Sequence, residues 1–157
     1  MRVLENITYD ELQVSDYATF TQTLSAGNLL LFAVSSGSIP SSNLDLEVAK
    51  KSLYKEDFGY AMWASELIST AFANVIPGPG SIYLEQKLKF HNKVEFNDIL
   101  TVKLTVQEKR EQHRVVFYCE VSNQDTDLVV TGESIIIAPT DKISLNQASL
   151  PSVNIER

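Results

Sequence analysis

The chain is poor in the residues that most often announce a chemistry. Its 157 residues include one cysteine, two histidines and one tryptophan. A lone cysteine, Cys119, excludes a disulfide within the chain and any cysteine cage for a metal. Its place in an alternating apolar run marks it as a buried thiol rather than a reactive one. His91 falls on the outward phase of an alternating segment and His113 in a turn between two such segments, and neither stands at metal-ligand spacing from other ligands. No Gly-x-Ser-x-Gly elbow and no glycine-rich phosphate loop occurs, because Gly78-Pro79-Gly80 ends a helical pattern instead of cradling an anion. Thirteen basic residues face twenty acidic ones, a net charge of -7, and a pair such as Lys109-Arg110 falls far short of the basic face that nucleic acid requires. The opening MRVLENITYDELQ lacks the apolar core of a signal segment, and no apolar run reaches membrane-spanning length, so a cytoplasmic location with no membrane partner is expected.

What is present is one domain's worth of pattern organised around a single stretch. From Gly59 to Gly80, Ala64, Leu67, Ile68, Ala71, Phe72 and Val75 recur at three- and four-residue steps, which predicts a helix with a wide apolar stripe. Met62 and Trp63 widen the stripe, Ser65, Glu66, Ser69 and Asn74 supply the polar side, and Pro77 with Gly-Pro-Gly stops the helix. Upstream, a strand is expected around Tyr17 to Leu24. Ser25 reads as the N-cap of a helix closed by Gly37 in a left-handed cap, and a Pro/Ser-rich loop leads to a short helix near Leu46 to Leu53. Downstream, Ile82, Leu84, Leu88 and Phe90 alternate with polar residues as a half-buried strand. Leu100 to Val106, Val115 to Val121 and Leu128 to Ala138 supply three more, with turns at Lys109 to Gln112 and Asn123-Gln124-Asp125. Ile135-Ile136-Ile137 is apolar on both faces and calls for cover on both, from the helix and from a partner subunit. Residues 144–157 read as a polar tail or linker after a domain spanning residues 1–143.

A central helix clasped by a curved antiparallel sheet is the hotdog arrangement, an α+β fold whose function has to be argued from a site. The segments Phe32-Ala33 with Ser36-Gly37, Ala61-Met62-Trp63, Pro77-Gly78-Pro79-Gly80-Ser81-Ile82-Tyr83-Leu84, Lys89-Phe90, Asn123-Gln124-Asp125 and Gly132-Glu133 resemble the MaoC-type (R)-specific enoyl-CoA hydratases. More narrowly they resemble the hydratase-like N-terminal domain of bifunctional enoyl-CoA hydratase/phosphate acetyltransferase proteins. The likeness covers residues 5 to 143. It implies a CoA thioester as ligand or substrate, no separate cofactor or metal, and a homodimer or higher homo-oligomer.

Hydration of an enoyl thioester needs a base for water, an acid for the alpha carbon and a donor for the thioester oxygen. In the family, an Asp and a His five residues apart supply the acid and base, and a backbone N–H of a His-Gly pair at the helix start holds the oxygen. The resemblance places the Asp at Ser38, the His at Asn43 and the His-Gly pair at Tyr60-Ala61. Serine and asparagine do not titrate near neutrality, so the dyad is chemically absent, whereas Ala61 keeps its N–H. Tyr60, Met62, Trp63 and Ser69 are the implied substrate-binding residues. Plainer readings stand beside these: Asn43 and Asp45 as caps of the next helix, and Tyr60 as a packing aromatic. Three functions follow. The first is a degenerate site that binds an acyl-CoA or acyl-carrier thioester without efficient hydration. The second is an active hydratase or dehydratase with a carboxylate recruited from Asp45, Asp57 or Glu66. The third is an oligomerisation domain of an acyl/phosphate acetyltransferase system.

Overall fold

Alternation and helical spacing resolve into nine elements among the residues that the computed structural model describes, 3–37, 59–95 and 97–146. They are β1 (Val3–Glu5), β2 (Tyr17–Thr23), α1 (Ala26–Ser36), α2 (Gly59–Asn74), β3 (Ile82–Phe90), β4 (Ile99–Arg110), β5 (Arg114–Ser122), β6 (Leu128–Ile137) and β7 (Ser144–Asn146). The short helix expected near Leu46 to Leu53 lies outside the described residues.

Local chemistry sets the ends of α1. Ser25 Oγ accepts from the Asn28 backbone N–H at 3.2 Å while the Asn28 side chain accepts from the Ser25 N–H at 3.1 Å, a reciprocal cap. Gly37 then takes φ +67°, the left-handed conformation that a glycine adopts without a Cβ penalty. The stripe of α2 buries Ala64, Leu67, Ile68, Ala71 and Phe72, none more than 5% exposed.

Five strands form one antiparallel sheet in the order β2-β4-β5-β6-β3, and α2 lies over β2, β4, β5 and β6. The core cluster that includes the buried stripe of α2 takes in Leu100, Val102, Leu104 and Val106 of β4, Val115, Phe117, Cys119 and Val121 of β5, and Val130 and Ile136 of β6. Phe72 stands edge-on to Phe117 with ring centroids 5.0 Å apart, tying helix to sheet at the centre of the core. Gly132 of β6 lies opposite Leu88 and Cys119, and β3 comes so near there that a Cβ would fall 1.9 Å from the Lys87 carbonyl oxygen.

Three expectations are corrected. The first concerns β3, read as a half-buried strand: Ile82 is 56%, Leu84 42% and Phe90 38% exposed. The strand is a sheet edge that α2 hardly covers, and a bulge at Leu84 shifts the alternation by one residue. Tyr83, Gln86, Leu88 and Phe90 pair with Ile136, Ser134, Gly132 and Val130, so these four share the helix-facing side. The second is the β4–β5 turn, which comprises Glu111 to His113, with Gln112 and His113 at φ 59° and 58°, so β4 runs on to Arg110. The third is the tail. Its first residues, Ser144–Asn146, form β7, which pairs antiparallel with β1 from Val3↔Asn146 to Glu5↔Ser144. Asn6, 1% exposed, explains the docking: its amide donates to the Asp141 carbonyl at 2.8 Å and its Oδ1 accepts from the Ile143 N–H at 2.9 Å.

Candidate functional site

The expected site has a loop side and a helix side. Ser38 and Asn43, with Asp45 and Asp57, lie outside the described residues. Tyr60 and Ala61 are the second and third residues of α2, which runs from Gly59 to Asn74. The opening N–H groups of a helix have no intrahelical acceptor and sit at the positive end of its dipole, which suits the Ala61 backbone to an oxygen that gains charge.

Helical geometry sorts the remaining candidates. Met62, Glu66, Ser69 and Ala73 recur at three- and four-residue steps and form one exposed stripe. Met62 and Ser69 are therefore brought together. Trp63 is not: it is 4% exposed and belongs to the core cluster, because one residue along a helix turns by about 100°. Its part in substrate binding stays what the resemblance implies. Ser65, read as part of the polar side, is corrected. It is 8% exposed, and its Oγ has no hydrogen-bond partner. Only its being a hydroxyl inside an apolar run could have drawn notice to it.

On the buried side of α2, Phe72 reaches the inner surface of β3. The Tyr83 ring meets Phe72 edge-on at 5.2 Å, and its hydroxyl accepts from the Gln86 side-chain amide at 3.2 Å. Burial pushes the Tyr83 phenol up to about 12, the Ser134 hydroxyl beside it acting in the opposite sense. Ser134 and Cys119 are fully buried with Oγ and Sγ 3.5 Å apart, and burial lifts the Cys119 thiol to about 11, so it is an inert core thiol as expected. Tyr83, Gln86 and Ser134 thus set a hydrogen-bonding strip into an otherwise apolar wall, which sequence alternation missed because the bulge hides Tyr83's phase.

Both histidines are placed at strand ends. His91 Nε2 is 2.6 Å from Thr131 Oγ1, and the His113 ring stands edge-on to Tyr9 with centroids 5.2 Å apart. No group of three or more His, Cys, Asp or Glu able to hold a metal ion occurs among the described residues. No helix among them is long and apolar enough to cross a membrane.

Comparison with protein-family models gives no match. Individual proteins do match. The unliganded R-hydratase PhaJ1 from Pseudomonas aeruginosa superposes with a TM-score of 0.93 at 40% identity, over 99% of this chain and 100% of that one. The (R)-hydratase from Aeromonas caviae superposes with a TM-score of 0.75 at 28% identity, over 82% of this chain and 98% of the other. In sequence, an (R)-specific enoyl-CoA hydratase from Rhodospirillum rubrum is 24% identical over 131 residues, 83% of this chain and 91% of that protein. With the helix-in-sheet architecture and these relatives together, the chain belongs to the MaoC-like (R)-specific enoyl-CoA hydratase family and has its hotdog fold.

Proposed function

We propose that the chain binds an acyl thioester, carried on coenzyme A or an acyl carrier, beside the first turn of α2 and does not hydrate it efficiently. One observation carries the reading. The resemblance places the family's acid and base at Ser38 and Asn43, and the only two histidines of the chain stand at strand ends against Thr131 and Tyr9. General acid–base participation is worth about a hundred- to ten-thousand-fold, so a site without it retains binding and orientation but little turnover. Crotonyl-CoA mixed with the purified protein is expected to lose its enoyl-thioester absorbance at least about a hundredfold more slowly than with an ordinary hydratase of the family. A rate matching such a hydratase would overturn the reading.

A second reading has a specific observation behind it. Glu66 is exposed on the same stripe as Met62 and Ser69, so a carboxylate does stand on the open side of α2. Were crotonyl-CoA turned over, Glu66→Gln would separate this base from Asp45 and Asp57.

The reading includes a homodimer. β3 is a sheet edge carrying exposed Ile82, Leu84 and Phe90, and an uncovered apolar edge is an aggregation hazard unless another strand takes it. Pairing with a second copy would also extend cover toward the half-buried Ile135 and Ile137. Light scattering at micromolar concentration is expected to return twice the chain mass of 17.5 kDa, and a stable monomer would refute the pairing.

A further inference from the structure

We infer that Ser65 is a ligand-binding residue that donates a hydrogen bond to the thioester carbonyl oxygen of the bound acyl group, an inference that rests on the thioester-binding reading above. Ser65 is 8% exposed, and its Oγ is the one buried side-chain nitrogen or oxygen among the described residues without a hydrogen-bond partner. Such a group is costly in a folded chain and is satisfied in nearly all structures, so its persistence calls for a partner that arrives from outside.

Position says where that partner sits. Side chains of a helix lean toward its N-terminus, so Ser65 covers the turn formed by Ala61 and Met62, and the Ala61 N–H, third in the helix, has no acceptor four residues back within it. Seven residues make nearly two full turns, so Ser65 shares its side of α2 with Phe72, whose ring meets Tyr83 on the sparsely covered edge strand. Ser69, one turn on, is exposed, so Ser65 stands at the inner border of the stripe that carries Met62 and Ser69. A carbonyl oxygen at this border would receive the Ser65 O–H and a first-turn N–H together. Away from water, two donors of this kind hold an oxygen more firmly than either alone.

The test is calorimetric titration of the full chain with butyryl-CoA, a saturated thioester that cannot be hydrated. Ser65→Ala is expected to bind it about tenfold more weakly, the loss of one hydrogen bond, while affinity for coenzyme A itself stays as in the parent. The thermal midpoint of the unliganded variant should equal or exceed the parent's, because no existing bond is removed. Difference infrared spectra with a 13C-labelled thioester carbonyl should show the stretch lowered on binding to the parent and returned toward its solution value in the variant. Equal butyryl-CoA affinity and an unmoved stretch in Ser65→Ala would overturn the inference and leave the thioester reading standing. No butyryl-CoA binding by the parent chain would remove both. Should Ser65→Ala fail to fold, Ser65→Cys keeps the volume with a weaker donor and is expected to fall between parent and alanine in affinity; parent-like affinity there would count against the inference.

Discussion

The quadruple variant Ser38→Asp, Asn43→His, Tyr60→His, Ala61→Gly should hydrate crotonyl-CoA at least about a hundredfold faster than the parent chain, and as much as about ten-thousand-fold. On the thioester-binding reading, the family's scaffold is kept and the titrating groups are what it lacks. α1 ends in the left-handed Gly37 cap immediately before position 38, and α2 runs from Gly59 with positions 60 and 61 next in it, so described helices adjoin the positions to be replaced. A carboxylate and an imidazole restore groups that exchange protons near neutral pH, which serine and asparagine cannot do. Glycine at 61 keeps the backbone N–H and restores the residue type that the family carries there. Ser38→Asp with Asn43→His alone should recover most of the gain, because the N–H donor is already present in the parent. A folded quadruple variant with the parent's rate would overturn the placing of the dyad at positions 38 and 43.

Gly132→Ala should cost the fold more than about 4 kcal/mol, in the range reserved for backbone collisions and large cavities. A Cβ at this position would lie 1.9 Å from the Lys87 carbonyl oxygen and 2.9 Å from Leu88 Cδ2. The first of these atoms is backbone in a paired strand and cannot swing aside. To admit the methyl, β3 has to separate from β6, which exposes Val130, Ser134 and Ile136 along the shared register. Urea melts followed by circular dichroism would measure the loss. Gly27→Ala is the internal control: a Cβ there meets nothing closer than Ser25 Oγ at 3.8 Å, and within a helix alanine is favoured over glycine by up to about 1 kcal/mol. A Gly132→Ala protein that melts with the parent would mean that β3 is held far more loosely than its register implies.

The parts of the molecule legible in the sequence are those set by near neighbours. Ser25 with Asn28 and Gly37 fixes α1 through bonds spanning three residues, and β4 shows its burial as strict alternation because both its neighbours are strands and α2 lies over one face. Illegible parts depend on distant chain. The bulge at Leu84 is set by pairing with β6, more than fifty residues on, so Tyr83's inward direction could not be read from a period of two. β7 is three residues long and exists because β1 and Asn6 wait at the other end of the chain. For the candidate site, the likeness to the hydratases implies positions 38, 43, 60 and 61, and it groups Trp63 with its sequence neighbour Met62, which the helix turns to a different side. It gave no reason to notice Ser65, whose significance lies in a missing bond, and a missing bond has no sequence signature.

The β1–β7 ribbon places Val3 and Asn146 directly opposite one another, which by antiparallel geometry leaves their Cα atoms only about 5 Å apart. The hotdog unit is therefore closed like a loop with a narrow neck. A host chain departing at one of these residues and returning at the other would be interrupted by scarcely more than the width of a strand pair, so the unit has the geometry of an insertable cassette.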